Sequence, residues 1–195
     1  MATSIPPHNS TEILNALIAL IDKPDISLPE VMRIVPGPDF PTGGIIYSGG
    51  EIEKAYLSGR GIITLRGKVD KDQENGRDRI IITEIPYTVN KADMVERIAG
   101  LVHEKKLEGI SNIRDESNKD GLRVVIDLKR GAQPEVIENQ LYKLTNLQTS
   151  FSMNMLAIHN GRPKVMGLIE LLQAFLDFRE EVVTRRCIFE LNKAR

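Results

Sequence analysis

Ile62-Ile-Thr-Leu-Arg-Gly-Lys-Val69 and Arg79-Ile-Ile-Ile-Thr-Glu84 are two β-rich runs, and they decide the fold class. Between them lies the polar stretch Asp70 to Asp78, which contains Asn75-Gly76, a dipeptide suited to the left-handed positions of a tight hairpin turn. The spacing therefore predicts a hairpin with a polar loop over 70–78, and Pro86 limits its second strand. Helical patterns flank it. Asn90 reads as an N-cap for a helix over Lys91 to Leu107, with Met94, Ile98, Leu101 and Val102 facing inward.

Outward from this centre the order of elements is irregular. Asn9 caps an expected helix over Ser10 to Ile21, with Ile13, Leu14, Leu17, Ile18 and Ile21 on its inner face. Ser27-Leu-Pro-Glu30 opens a short helix, and Pro36 to Gly44 is a stiff loop. Ile45-Ile-Tyr47 is an expected strand, Glu51 to Leu57 a short helix, and Ile110 to Ile113 and Leu122 to Leu128 further strands around a charged loop. A helix begins at Pro134. Phe151 to Ile158 and Arg162 to Met166 flank His159-Asn160-Gly161 as a second hairpin. From Gly167 to Arg195 the pattern is helical for about 28 residues, or roughly 42 Å. Leu168, Leu172 and Phe175, with Leu171, Leu176 and Phe178, predict a broad buried face; Val183, Cys187 and Leu191 continue it as a narrow stripe. That helix has no stop signal, which suggests a piece of a longer protein.

Strands and helices in this order give an α+β fold: a mixed or antiparallel sheet domain with flanking helices. The expected division is a helical segment over 1–36, an α+β domain over 37–166 and a long helix over 167–195.

Composition narrows the function classes. The chain has 195 residues, 41% hydrophobic and 27% charged, ordinary for a globular protein. Cys187, the only cysteine, excludes an internal disulfide and a multi-cysteine zinc site, and points to a reducing, cytoplasmic setting. A net charge of −1 means that any nucleic-acid contact comes from local patches. No apolar run has the length of a membrane span, and Met1 to Pro7 lacks the regions of a signal peptide.

No catalytic or metal motif emerges. His8, His103 and His159 are widely separated. Asp115 to Asp120 lacks the alternation and closing glutamate of a calcium loop, and Gly59-Arg-Gly61 is too short to cradle phosphates. Two segments are mildly basic: Arg60 to Arg79, where Arg60, Arg66, Lys68, Lys71, Arg77 and Arg79 outnumber the acids, and the end of the last helix. Either is also readable as a solvated surface. Ile5-Pro6-Pro7-His8-Asn9 presents one β-branched apolar residue on a stiff, extended stalk. On chemistry alone Ile5 is either a core residue or a wedge of the kind that parts base pairs.

Several stretches together carry a resemblance. Met1-Ala-Thr-Ser-Ile-Pro-Pro-His-Asn9, Pro36-Gly-Pro-Asp-Phe-Pro-Thr42, Gly59-Arg-Gly61, Glu84-Ile-Pro-Tyr-Thr-Val-Asn-Lys91, Gly109-Ile-Ser-Asn-Ile-Arg-Asp-Glu-Ser117 and Phe189-Glu-Leu-Asn-Lys-Ala-Arg195 occur in the order found in the DNA-cutting subunits of bacterial type IIA topoisomerases. The resemblance spans essentially the whole chain. Glu84 to Lys91 and Asp115 to Gly121 are more similar to the gyrase branch than to the topoisomerase IV branch.

The resemblance implies the tower domain of such a protein, leading into a coiled-coil arm. It implies a parent enzyme that changes supercoiling by ATP-dependent passage of one duplex through a transient break in another. The nucleophilic tyrosine is expected upstream of Met1; Tyr47, Tyr56, Tyr87 and Tyr142 do not match its context, so no residue here is expected to be catalytic, and the chain alone is expected to be inactive. Ile5 matches the family's intercalating isoleucine. Asn9, Arg60, Arg66 and Lys68 are expected DNA contacts, the three basic residues on charge and location only. Implied partners are double-stranded DNA, a B-type subunit of gyrase that uses Mg2+ and ATP, and a second copy of the cutting subunit in an A2B2 holoenzyme. A non-catalytic α+β scaffold with a dimerising helix is the alternative from another class.

Overall fold

The computed structural model describes residues 4–47, 49–74, 76–119 and 121–195. In chain order the elements are α1 (Ser10–Asp22), α2 (Leu28–Ile34), β1 (Ile45–Tyr47), α3 (Glu51–Ser58), β2 (Arg60–Arg66), β3 (Lys68–Glu74), β4 (Arg77–Glu84), α4 (Lys91–His103), β5 (Ile110–Asp115), β6 (Val124–Leu128), α5 (Pro134–Leu144), β7 (Gln148–Asn154), β8 (Leu156–His159), β9 (Arg162–Val165) and α6 (Leu168–Ala194). The paired strands are antiparallel, in an α+β arrangement as expected. Compactness divides the chain into two units of separated stretches: a helical unit of Met1–Asp39, Gly49–Ile62 and Ser152–Arg195, and a sheet unit of Phe40–Ser48 and Ile63–Phe151. This is a different cut from the three consecutive segments, because α6 returns to contact α1 and α3.

In the sheet unit, β3, β4, β6 and β5 lie side by side in that order. Ile80 pairs with Ile126 and Ile82 with Val124. Alternation sends these residues to one face, where they are buried with Met94, Ile98 and Leu101 of α4 and Ile137 and Leu141 of α5. The expected inner face of α4 is thus present, with Val102 packed at its margin. Each fully buried aliphatic side chain contributes roughly 1.5–3 kcal/mol. Asn90 caps α4, its Oδ1 accepting from Ala92 N at 2.8 Å. Asp72, Arg79 and Asp127, paired across the strands, share the opposite face.

The first hairpin differs from expectation. Residues Asp70 to Glu74 are strand rather than loop, and only positions 75 and 76 connect Glu74 to its pair partner Arg77. Gly76 has φ 72°, in the left-handed region such a turn requires; Asn75 lies outside the described residues. The charged composition of β3 suits an edge strand, and its charges find partners: Arg79 Nη2 of β4 lies 2.6 Å from Asp72 Oδ2, and Lys71 Nζ lies 2.9 Å from Glu138 Oε2 of α5. Nor is 62–69 one strand. Gly67 separates β2 from β3, donating its N–H to Leu147 O at 2.8 Å. A Cβ there would stand 2.6 Å from Glu84 O, so the close crossing admits only glycine.

The second hairpin forms at the expected turn, from β8 and β9, with Asn160 and Gly161 at φ 50° and 74°; the expected strand over Phe151 to Ile158 is divided at Met155, its first part belonging to β7.

In the helical unit, α1 packs with α2 and α6. Its covered residues are Ala16, Leu17 and Leu20, whereas Leu14, Ile18 and Ile21 are 58, 57 and 63% exposed. This corrects the expected inner face. The helix is apolar on two sides, and the small Ala16 permits the close approach that selects the other one. The same holds for α6. Leu168 and Leu172 are buried, but Phe175 and Phe178 are 48 and 57% exposed, and Val183 and Leu191 are exposed beyond them. The buried face ends one turn after Leu168, and the remaining turns project into solvent. Among the described residues, no helix is long and apolar enough to cross a membrane.

Candidate nucleic-acid interface

The stalk ahead of α1 is held at successive residues. Ser4 O accepts from Asn154 N at 2.9 Å, and Pro7 O accepts from Asp39 N at 2.9 Å. Asn9 caps α1, its Oδ1 accepting from Thr11 N at 2.9 Å, while its Nδ2 donates to Asp39 Oδ2 at 3.2 Å. Pro6 is buried. Two rigid φ angles and these bonds leave the segment little freedom.

His8 completes the clamp. Its Nδ1 lies 2.9 Å from Pro6 O, and its Nε2 lies 2.8 Å from the Tyr56 hydroxyl of α3. A carbonyl only accepts, so Nδ1 carries the proton; Nε2 then accepts from the tyrosine. Both groups are held neutral. Burial lowers the His8 pKa, partly opposed by the Pro6 carbonyl and Asp39. Burial also raises that of Tyr56, with the Glu12 carboxylate adding to it. Tyr56 is 1% exposed, so the anchor sits in a rigid interior.

Ile5 itself is half-buried and not part of the fully enclosed core. It borders an open apolar depression of about 420 Å3 with Ile158, Met166, Leu171 and Phe175. The side chain therefore sits at a surface, on a fixed backbone.

The basic residues singled out from sequence fall in different surroundings. Arg60 is exposed at the start of β2 in the same unit as Ile5 and Asn9, and among the described residues its side chain has no ion pair. Ser58 Oγ donates to its carbonyl at 2.9 Å. Gly59-Arg60-Gly61 is a packing device: Gly59 has φ 75°, and a Cβ on it would lie 2.5 Å from Met166 O. Arg66 and Lys68 belong to the sheet unit. Arg66 is turned inward, 4.2 Å from the Tyr47 ring centroid and 4.9 Å from that of Tyr142, with Nε donating to Gln148 Oε1 at 2.7 Å. Lys68 is exposed, its Nζ 3.8 Å from Glu84 Oε1.

Sequence reasoning grouped His8 with two unrelated histidines and gave Tyr56 no role. The only signal was the place of His8 inside the proline stalk; its partner is 48 residues away.

The four tyrosines have evident structural uses. Tyr56 donates to His8, Tyr142 donates to Gly67 O at 3.0 Å, Tyr47 underlies Arg66, and Tyr87 stacks with Phe40 at 5.2 Å between centroids. Asp115 is drawn into local bonds rather than a cation loop: Ser117 N donates to it at 3.1 Å and Lys91 Nζ lies 2.6 Å away. Among the described residues no three His, Cys, Asp or Glu side chains converge as a metal site.

Comparison with known proteins gives a consistent answer. The family described as the DNA gyrase/topoisomerase IV A subunit matches residues 1–195. The chain is 54% identical over 196 residues to the DNA gyrase A subunit of Granulibacter bethesdensis and 55% identical over 197 residues to that of Escherichia coli. It is 56% identical over 198 residues to the chloroplastic/mitochondrial counterpart of Nicotiana benthamiana. Each match covers 100% of this chain but only 21 or 22% of the relative, so the chain spans about a fifth of their length. A match across every residue, in a chain whose distinctive feature is the clamped Ile5 stalk, places it: the chain belongs to the family of DNA gyrase and topoisomerase IV A subunits.

Proposed function

We propose that this chain holds and bends duplex DNA as part of a gyrase-type topoisomerase, with Ile5 as the wedge. The observation that carries the reading is the stalk. Unstacking a base step costs about a few kcal/mol, and bending a site costs on the order of 1–6 kcal/mol. Burying an isoleucine returns roughly 1.5–3 kcal/mol. That return offsets the unstacking only if little is lost in ordering the wedge, while the bend is repaid by the further contacts it permits. Hydrogen bonds at Ser4, Pro6, Pro7 and Asn9, and the His8–Tyr56 anchor, fix the backbone around Ile5 beforehand.

Asn9 supports this role through the backbone, as cap and as partner of Asp39. Arg60 and Lys68 are exposed and suited to phosphate contacts. The guanidinium of Arg66 is committed to two tyrosine rings, which supports an internal role.

In the parent enzyme the cutting tyrosine lies outside this chain, and attack on a phosphodiester forms a covalent protein–DNA link. A bent duplex brings the scissile phosphates into line for that step. Mg2+ and ATP are used by the B-type partner, two copies of the cutting chain dimerise, and the assembly works in the cytoplasm. The names of the relatives support the gyrase branch over topoisomerase IV. That the match to a DNA-cutting protein spans the whole chain also argues against a bare scaffold.

Fluorescence energy transfer between the ends of a bound duplex tests the reading. In the complete protein, Ile5→Ala is expected to lower the bend while the thermal midpoint changes little. A normal bend with a large fall in the midpoint would assign Ile5 to packing instead.

A further inference from the structure

The outer face of the four-stranded sheet holds a cluster that sequence spacing does not reveal. Alternation on β4 turns Ile80 and Ile82 to the core and Arg77 and Arg79 outward. Asp127 pairs with Arg79 across β6, and Arg114 leaves β5 on the same side. Arg130, just past β6, closes the end. A bulge between Ile110 and Asn112 keeps Ile110 inside while Ser111 and Asn112 both reach the outer side. Together they line an open cleft of about 560 Å3, four arginines against the two carboxylates Glu74 and Asp127.

The arginines are of two kinds. Arg79 is fixed by Asp72 and Glu74, and Arg114 by Asp127 at 3.3 Å and Glu116 at 3.4 Å. These two are preorganised and largely neutralised. Arg77 and Arg130 are exposed, and among the described residues neither has an ion pair or a side-chain hydrogen bond within the protein. Two uncommitted forks therefore stand beside a floor of fixed donors, with the Ser111 hydroxyl and the Asn112 amide between. Arginine's planar fork matches phosphate oxygens. Among the described residues no aromatic ring lines the cleft to stack a base.

We infer that this cleft binds the phosphodiester backbone of duplex DNA, through Arg77 and Arg130. It is a contact separate in sequence from the Ile5 stalk, and it rests on the proposed DNA-binding role. Backbone contacts of this kind carry no base preference. They release counterions, by about 0.9 per phosphate neutralised.

The test uses the complete protein with the paired change Arg77→Gln and Arg130→Gln. Neither side chain supports another, so the thermal midpoint is expected to stay put. Duplex affinity is measured against salt. The slope of log affinity on log salt is expected to fall by about 1.8; raising salt from about 50 to about 200 mM then weakens the variant about twelve-fold less than the parent. A parallel titration with inorganic pyrophosphate separates the sources. Loss of pyrophosphate binding with an unchanged duplex slope would assign the cleft to a free polyphosphate and overturn the inference. An unchanged slope and unchanged pyrophosphate binding would overturn it as well. Ile5→Ala, expected to lower the bend and leave the slope alone, keeps failure of the wedge reading distinguishable from failure of the cleft.

Discussion

Tyr56→Phe is the sharpest probe of how the stalk works. The substitution keeps the ring, its burial and its 5.7 Å centroid distance to His8, and removes only the hydroxyl. The 2.8 Å bond to His8 Nε2 is lost, and a part-buried acceptor is left without a partner. Such a group costs about 1–3 kcal/mol. If about 1 kcal/mol of this falls on the ordering of the stalk, the fraction of molecules with Ile5 in place drops about five-fold at most, since about 1.4 kcal/mol is a factor of ten. The assay is duplex bending by energy transfer in four versions of the complete protein: the parent, Tyr56→Phe, Ile5→Ala, and both. The account predicts that Tyr56→Phe reduces bending alone and adds nothing once Ile5 is alanine, because it acts through the wedge. A purely structural tyrosine gives additive losses. Additivity, or a normal bend in Tyr56→Phe, would refute the reasoning.

Other expectations follow from the same geometry. The pKa of His8 is lowered in the folded state, so its contribution to stability is fully present above the ordinary value of 6.5 and is lost as the pH falls through the folded value; acid melts of the parent and of His8→Gln are expected to diverge only in that window. Arg66→Gln is expected to cost about 1–2 kcal/mol through its two ring contacts and to leave the salt slope of DNA binding unchanged; a reduced slope would make Arg66 a phosphate contact. Asn90→Ala removes the cap of α4 and is expected to cost about 1 kcal/mol in a denaturant titration. Gly59→Ala forces a left-handed φ on a side chain that would meet the Met166 carbonyl, so a variant as stable as the parent would contradict the packing described for that motif.

What the sequence made legible is local. Asn9 and Asn90 cap helices because a short amide oxygen reaches the first free N–H groups, and residue type shows this directly. The Asn160-Gly161 turn is equally local. The sheet could be read from the β-branched run Ile80-Ile-Ile-Thr83 between turn signals, which is buried at Ile80, Ile81 and Ile82. Alternation failed in β3, where nearly every residue is polar and the strand is held by charge pairs whose partners, such as Glu138, lie far along the chain. Helix faces were legible only where one side is apolar. On α1 two sides are, and the choice between Leu14 and Ala16 is made by α2 and α6, not by α1 itself. On α6 the apolar run continues past the point where anything covers it, so Phe175 and Phe178 look like core residues and are not.

The candidate site shows the same division. The stiffness of Ile5-Pro6-Pro7 follows from proline chemistry, but the Tyr56 anchor and the arginine cleft are products of tertiary structure. Arg66 had the charge and position of a phosphate contact, and only the fold places it between two rings.

The central claim is that Ile5 enters the base stack, and a fluorescent base measures this most directly. With 2-aminopurine placed at successive steps of a bound duplex, unstacking raises its emission. The complete protein is predicted to raise emission at one step, and Ile5→Ala, bound to the same extent, to leave that step quenched. Equal emission from the two proteins at every step would contradict the wedge.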